Sequence, residues 1–129
     1  MPDEIRNALA NDRMIDITTI GRRSRVPRRK EIWYHRVNGQ IFITGRPGRR
    51  DWFANLIANP EFTFHLKESI EADLPAIARA VTDREEKTEI LGEIVRRLGS
   101  CRDLGRWVEE SPLVEVTFPP GTLPPRETS

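Results

Sequence analysis

The sequence is poor in the side chains that carry most enzyme chemistry. It has one cysteine, Cys101, two histidines, His35 and His65, and one tyrosine among 129 residues. A single cysteine excludes an intrachain disulfide and fits a reducing compartment, so a cytoplasmic location is expected. No two Cys/His residues stand at metal-ligand spacing, and there is no Gly-x-Ser-x-Gly elbow and no Walker loop. His35 and His65 each fall inside a predicted strand, out of phase with its apolar residues, and read as sheet-surface histidines. Cys101 lies near a predicted helix end with no motif around it and reads as a packed thiol. Hydrolysis, acyl transfer and metal chemistry therefore find little support, and neither a catalytic residue nor a metal site is assigned. Long apolar runs are absent too. None approaches the ~18 residues of a membrane-spanning helix, and "MPDEIRNALANDR" is too polar and acidic for a signal peptide.

Arginine is what the chain has in excess, and it is concentrated. Net charge is only +1, yet ten of the 21 basic residues lie between Arg22 and Arg50, against one of the 20 acidic ones. Such polarisation gives one positive face built from few loops. Six of the nine residues from Arg22 to Lys30 are basic. An anionic partner is implied, whether nucleic acid, membrane or phosphorylated cofactor. The acidic cluster Asp83, Glu85, Glu86 and Glu89 is the ordinary first turns of a solvated helix.

Periodicity supplies the frame. A short helix is expected within residues 3–11. "MIDITTI" alternates as a strand over Met14–Ile20, and Gly21 ends it. "KEIWYHRV" and "GQIFITG" flank Asn38-Gly39 and predict a hairpin, with strands over Glu31–Val37 and Gln40–Thr44. Asp51 is the expected N-cap of a helix in "WFANLIA", stopped by Asn59-Pro60. "EFTFHL" is a strand over Phe62–Leu66, and "SIEADLPAIARAV" another, with Pro75 at an edge or bulge. "TDRE" from Thr82 to Glu85 reads as a capping box. The helix after it carries Ile90, Leu91, Ile94, Val95 and Leu98 at helical spacing and stops near Gly99. A further short helix through Leu104–Val108 and a last strand in "PLVEVTF" complete the order. Hairpin-linked strands with a few helices predict an α+β domain over residues 1–118, an antiparallel sheet closed as a barrel, with 119–129 a Pro-rich extended tail.

Two loops share the positive charge. Arg22, Arg23, Ser24, Arg25 and Arg28 offer guanidinium and hydroxyl donors suited to phosphate oxygens. "RPGRRD", with Arg46, Arg49 and Arg50, leads into a helix N-terminus, although Asp51 as N-cap would use some of its N–H groups. Trp33, Tyr34, Trp52 and Phe53 flank the loops. They either form a slot for a planar ring or belong to the core.

These stretches carry a resemblance. "TTIGRRSRVPRR" resembles the Thr-Thr-x-Gly-Arg-Lys-Ser-Gly-x-Pro-Arg signature of the deazaflavin-dependent nitroreductase family, within the flavin/deazaflavin oxidoreductase superfamily. "RDWFANLIANP" is similar to its Trp-Tyr-x-Asn-Leu-x-Ala-Asn-Pro segment, and "ARAVTDREEK" to its strand-to-helix junction. The likeness spans about residues 14–98. It implies a split β-barrel with a Greek-key-like sheet, usually a homodimer. It also implies hydride transfer to a small organic acceptor by the deazaflavin coenzyme F-420, or alternatively FMN; others in the superfamily hold haem or a bilin. Carried over, cofactor binding falls on Arg23, Ser24 and Arg28, with Arg22 and Arg29 nearby, Ile32 against the ring, and Trp52 and Asn55 beside it; Arg49 and Arg50 join as the second basic loop. The family's glycine after the serine is Arg25 here, and the segment between hairpin and helix is short, so the family's nitroimidazole or quinone substrates are not carried over. Two other readings stand beside this one: a cofactor-sequestering protein without turnover, and a single-stranded nucleic-acid module that uses arginines and aromatics.

Overall fold

Alternation along the strands and a 3.6-residue period along the helices sort the side chains into an inside and an outside. The computed structural model describes residues 4–45, 48–98 and 104–122. Its elements are α1 (Glu4–Asn11), β1 (Met14–Ile20), β2 (Pro27–Val37), β3 (Gln40–Thr44), α2 (Asp51–Ala58), β4 (Glu61–Leu66), β5 (Ala72–Ala80), α3 (Arg84–Leu98), α4 (Leu104–Glu110) and β6 (Leu113–Thr117). The strands close an antiparallel barrel in the order β1-β2-β3-β6-β5-β4, so the expected α+β class and barrel hold. Cys101, Arg46, the helix stop at Gly99 and residues 123–129 of the expected tail lie outside the described residues.

The Asn38-Gly39 hairpin forms as read. Asn38 and Gly39 take φ of 53° and 77°, and Val37 pairs with Gln40. Both turn residues are left-handed, which matches the twist of the flanking strands. Inside the barrel, Ile15 and Ile17 of β1 pack with Tyr34, Ile43, Phe62, Phe64, Leu66 and Leu74, and Trp52 and Leu56 of α2 join them. A second core lies outside the barrel. Ile90, Leu91, Ile94 and Val95 of α3 and Trp107 and Val108 of α4 cover Val37, Phe42 and Leu113. Tyr34 is core: its hydroxyl donates to the carbonyls of Ala8 and Leu9, and burial pushes its phenol well above the usual range.

Three local expectations shift. β2 starts at Pro27 rather than Glu31, because the ladder with β1 continues through Thr18↔Arg29 and Thr19↔Arg28 to Ile20↔Pro27. Pairing overrides the low strand preference of a cationic run. The N-cap of α2 is Arg50, and Asp51 is the first helical residue with no capping bond; there its charge still complements the helix dipole. For α3 the cap is Asp83, one residue after Thr82, whose carboxylate accepts from the Glu86 N–H at 2.9 Å. Glu86 does not reach back to close a box, because Arg79 holds it through two bonds of 3.1 and 2.7 Å.

Several carboxyls are held below their ordinary range. Asp16 is lowered by hydrogen bonds from Lys67 and then Arg29, Glu68 by the backbone N–H groups of Met14 and Arg13, Asp73 by His65, and Glu86 by Arg79. Such groups stabilise the fold above their unfolded pKa, about 3.9 to 4.3, and the contribution is lost as pH falls towards the lower folded values. Melting temperature should therefore decline modestly below about pH 6.5, where His35, held below the usual imidazole range by burial and then by Arg97, begins to charge in the unfolded chain, and fall further below about pH 4 through these carboxyls. Asp16→Asn should lower stability at neutral pH and flatten that acid limb, which thermal melts from pH 7 to 2.5 will measure. An unchanged limb in the variant would remove Asp16 from this account.

Candidate functional site

The basic loop is short and closed on itself. β1 and β2 are joined by residues 21–26, with the Gly21 N–H donating to the Val26 carbonyl and the Arg25 N–H to the Gly21 carbonyl, both at 3.0 Å. Ser24 turns inward, its Oγ accepting from the Val26 N–H at 3.3 Å. A Cβ on Gly21 would lie 2.4 Å from that Oγ, so a larger residue there would turn the exposed Ser24 hydroxyl out of its bond. Arg25 adopts φ of 60°. That left-handed conformation is the one glycine serves in the resembling signature. The loop shape is kept, with a cation where the glycine would be.

Asn55 ties this loop to the barrel. Its side chain is buried, 4% exposed. Oδ1 accepts from the backbone N–H of Arg22 at 3.1 Å and from Arg22 Nη1 at 3.0 Å, while Nδ2 donates to Thr19 Oγ1 at 3.4 Å. Arg22 also lies 3.6 Å from Asp51. Trp52, on the same helix, is buried and meets Phe53 edge to face at 6.0 Å.

Strand alternation then divides the arginines. Arg28, Lys30 and Ile32 share a face of β2 with buried Tyr34, whereas Arg29, Glu31 and Trp33 take the other. From Pro27 to Trp33 the strand pairs only with β1, and β3 joins at Tyr34. The barrel is split over that stretch, and Arg28 and Lys30 project towards its inner side yet stay exposed. Arg23, Arg25, Arg28 and Lys30 make no ion pair among the described residues. Arg29 is different: its Nε donates to Asp16 Oδ2 at 2.8 Å on the outer face. Arg49 and Arg50 also stand apart. They precede α2 beside Phe53, which lies roughly 200° around the helix from Asn55, and both line a separate cavity with Val81, Thr82 and Lys87. Of the residues singled out from sequence, the structure puts Arg22, Arg23 and Ser24 in the loop at the split mouth, Arg28 and Ile32 on β2 beside it and Asn55 behind Arg22, while Trp52 is buried in the barrel core. It places Arg29 outside the barrel and Arg49 and Arg50 across α2.

One residue was misplaced by pattern alone. His65 is no surface histidine; it is 7% exposed. Nε2 lies 2.7 Å from Thr18 Oγ1 and Nδ1 2.7 Å from Asp73 Oδ1, so both ring nitrogens are engaged. The signal was in register: Asp16 and Asp73 oppose His65 on the two neighbouring strands.

With this geometry in place, the comparisons become specific. Residues 4–117 match the F420H(2)-dependent quinone reductase family. The chain belongs to that family. It is a deazaflavin-dependent oxidoreductase whose cofactor is coenzyme F-420. Similar solved structures share the split-barrel fold at low identity. An F420 reductase has a TM-score of 0.69 and 14% identity over 92% of this chain and 95% of its own. A conserved protein of Mycobacterium tuberculosis, Rv2991, has 0.69 and 16% over 100% and 91%. A NimC/NimA family protein of Clostridium acetobutylicum has 0.61 and 15% over 92% and 79%. Within the described residues, no helix is long and apolar enough to cross a membrane.

The loop geometry yields a paired test. Gly21→Ala turns the exposed Ser24 hydroxyl out of its bond and should cost no more than about 1 kcal/mol. Arg25→Gly relieves about 1 kcal/mol of left-handed strain, partly offset by a more flexible unfolded chain, and should be neutral or stabilising by about 0.5 kcal/mol. Urea denaturation of both variants will measure this. A strongly destabilised Arg25→Gly would mean that the guanidinium has a structural role.

Proposed function

We propose that this reductase catalyses hydride transfer to a small planar acceptor of the quinone type, with the cofactor held at the split mouth by Arg22, Arg23, Ser24, Arg28 and Ile32, and with Asn55 and Trp52 supporting the mouth from behind. The observation that carries the proposal is the set of cations without partners, Arg23, Arg25, Arg28 and Lys30, beside half-buried Ile32. Unpaired guanidinium groups around an open apolar strand suit a planar group with several anionic substituents. When bound, reduced coenzyme F-420 supplies a hydride at its ring carbon. The protein's part is placement. Asn55 fixes Arg22 against the helix, the closed loop fixes the tips of Arg23 and Arg25, and the mouth holds acceptor and ring together in the correct orientation. The proton that completes reduction of the acceptor comes from solvent, since the buried histidine has both nitrogens engaged. A nucleic-acid groove is not favoured, because the free cations cluster at one point and Trp52 and Tyr34 are core.

We further propose that the chain works as a homodimer in the reducing cytosol. Trp33 is 49% exposed and Ile77 38% exposed. They face outward at separate places, Trp33 opposite Met14 on β1 and Ile77 opposite Glu61 on β4, and the dimer is proposed on the family likeness. Light scattering at low micromolar concentration should give twice 14.9 kDa. A monomer at that concentration counts against the dimer.

The cofactor site makes its own prediction. Multiple anionic groups on the deazaflavin use the free cations better than the single phosphate of FMN, each charge-assisted bond contributing roughly 1.5–3 kcal/mol. Fluorescence titration should show tighter binding of the deazaflavin than of FMN, weakened by added salt. Arg23→Ala with Arg28→Ala should weaken it at least about tenfold, near 1.4 kcal/mol. Arg29→Ala, which removes a cation already paired to Asp16, should stay within about threefold. Equal FMN affinity, or indifference to the double change, would assign the basic mouth to another ligand.

A further inference from the structure

The cavity across α2 has a composition of its own. It encloses about 550 Å³, within the range of small-molecule sites. Phe53, Val81, Val108 and Pro112 supply apolar walls. Both lining carboxylates already have arginine partners: Glu109 with Arg84 at 3.1 Å and Glu110 with Arg106 at 2.7 Å. Two lining cations, Arg49 and Lys87, make no ion pair among the described residues. Lys87 is half-buried, and burial holds its ammonium below the usual lysine range. Ser111 also lines the cavity. It is 2% exposed, and its Oγ has no hydrogen-bond partner. A buried hydroxyl left unpaired costs about 1–3 kcal/mol, and most such groups in folded proteins are satisfied. An unpaired half-buried ammonium and a guanidinium beside apolar walls are the complement of a carboxylate on a flat apolar body.

We infer that this cavity is a second ligand site, separate from the cofactor mouth, that takes a small ring-bearing carboxylate. The inference does not rest on the cofactor assignment. Asn55 and Phe53 project to opposite sides of α2, so the helix stands between the two sites. The ring packs on Phe53 and Val108, and the carboxylate accepts from Lys87 Nζ, with Arg49 at the entrance.

Calorimetric titration of the full chain with indole-3-acetate and its neutral analogue indole-3-acetamide tests this. The acetate should bind at least about tenfold more tightly than the amide. Lys87→Met should abolish that preference and leave the amide unchanged. Arg49→Gln should weaken the acetate and leave the amide unchanged; this variant serves if Lys87→Met does not fold. Arg23→Ala with Arg28→Ala, and saturating deazaflavin, should leave acetate binding unaltered. No saturable binding up to roughly 10 mM, equal affinity for acid and amide, or displacement by the deazaflavin would overturn the proposal. The last outcome would make the cavity part of the cofactor site, whereas loss of deazaflavin binding alone would leave it standing.

Discussion

The amide of Asn55 is the point on which the positive mouth depends. A loop with four arginines among residues 22–25 and 28 repels itself, and left alone it would splay into solvent. Asn55 prevents this with neutral chemistry. One carbonyl oxygen accepts twice from Arg22, and the NH₂ reaches Thr19 on β1. Because Asn55 and Thr19 are both buried, these bonds lie in a medium where an unpaired amide is costly. Loop, strand and helix are therefore held in one geometry without any carboxylate buried in the site. Asp51, the nearest acid, is almost fully exposed and 3.6 Å away. It restrains Arg22 weakly and leaves the remaining cations unneutralised.

The rest of the barrel is arranged so that this charge can persist. Other cations are neutralised locally, as with Arg29 and Lys67 on Asp16 and Arg79 on Glu86 and Glu115. Those pairs are mostly exposed, and each contributes little to stability. Their effect is one of placement: they neutralise cations on the outer face of the barrel and leave those of the mouth unpaired. The split in the barrel completes the arrangement. Had β3 paired along all of β2, Arg28 and Lys30 would point into a closed interior and would have to be neutralised or replaced. Because pairing stops at Tyr34, the same alternation that buries Tyr34 carries the two cations to an open rim.

What was legible in the sequence follows from which signals are local. Met14–Ile20, the Asn38-Gly39 turn and the apolar spacing of α3 are set by neighbours in the chain, and the structure keeps them. The start of β2 was not legible, because only the partner strand makes Arg28–Lys30 extended. The N-caps moved by one residue for a similar reason. Asp51 and Thr82 satisfy a local rule, but the exit angle of the preceding segment decides where the first turn begins. The likeness to known cofactor motifs correctly pointed to the deazaflavin family. It did not separate Arg29 or Arg49 and Arg50 from the mouth, since strand alternation and helix phase act only once the elements are placed.

His65 shows the same limit from the other side. Its sequence neighbours mark a strand whose outward face should be wet, yet the ring is shielded. Shielding comes from polar residues on both adjacent strands, Thr18 and Asp73, whose side chains bond to its two nitrogens. An imidazole bonded at both nitrogens loses rotational freedom and ties β4 to β1 and β5. The charged groups that the described residues bring to the mouth are guanidinium groups and the ammonium of Lys30. A site of this kind can still sustain hydride transfer, because the reactivity resides in the cofactor and the protein lowers the barrier through orientation and electrostatic placement. In the proposed reading the arginines of the mouth bind and align the cofactor, whose ring carries the reactivity.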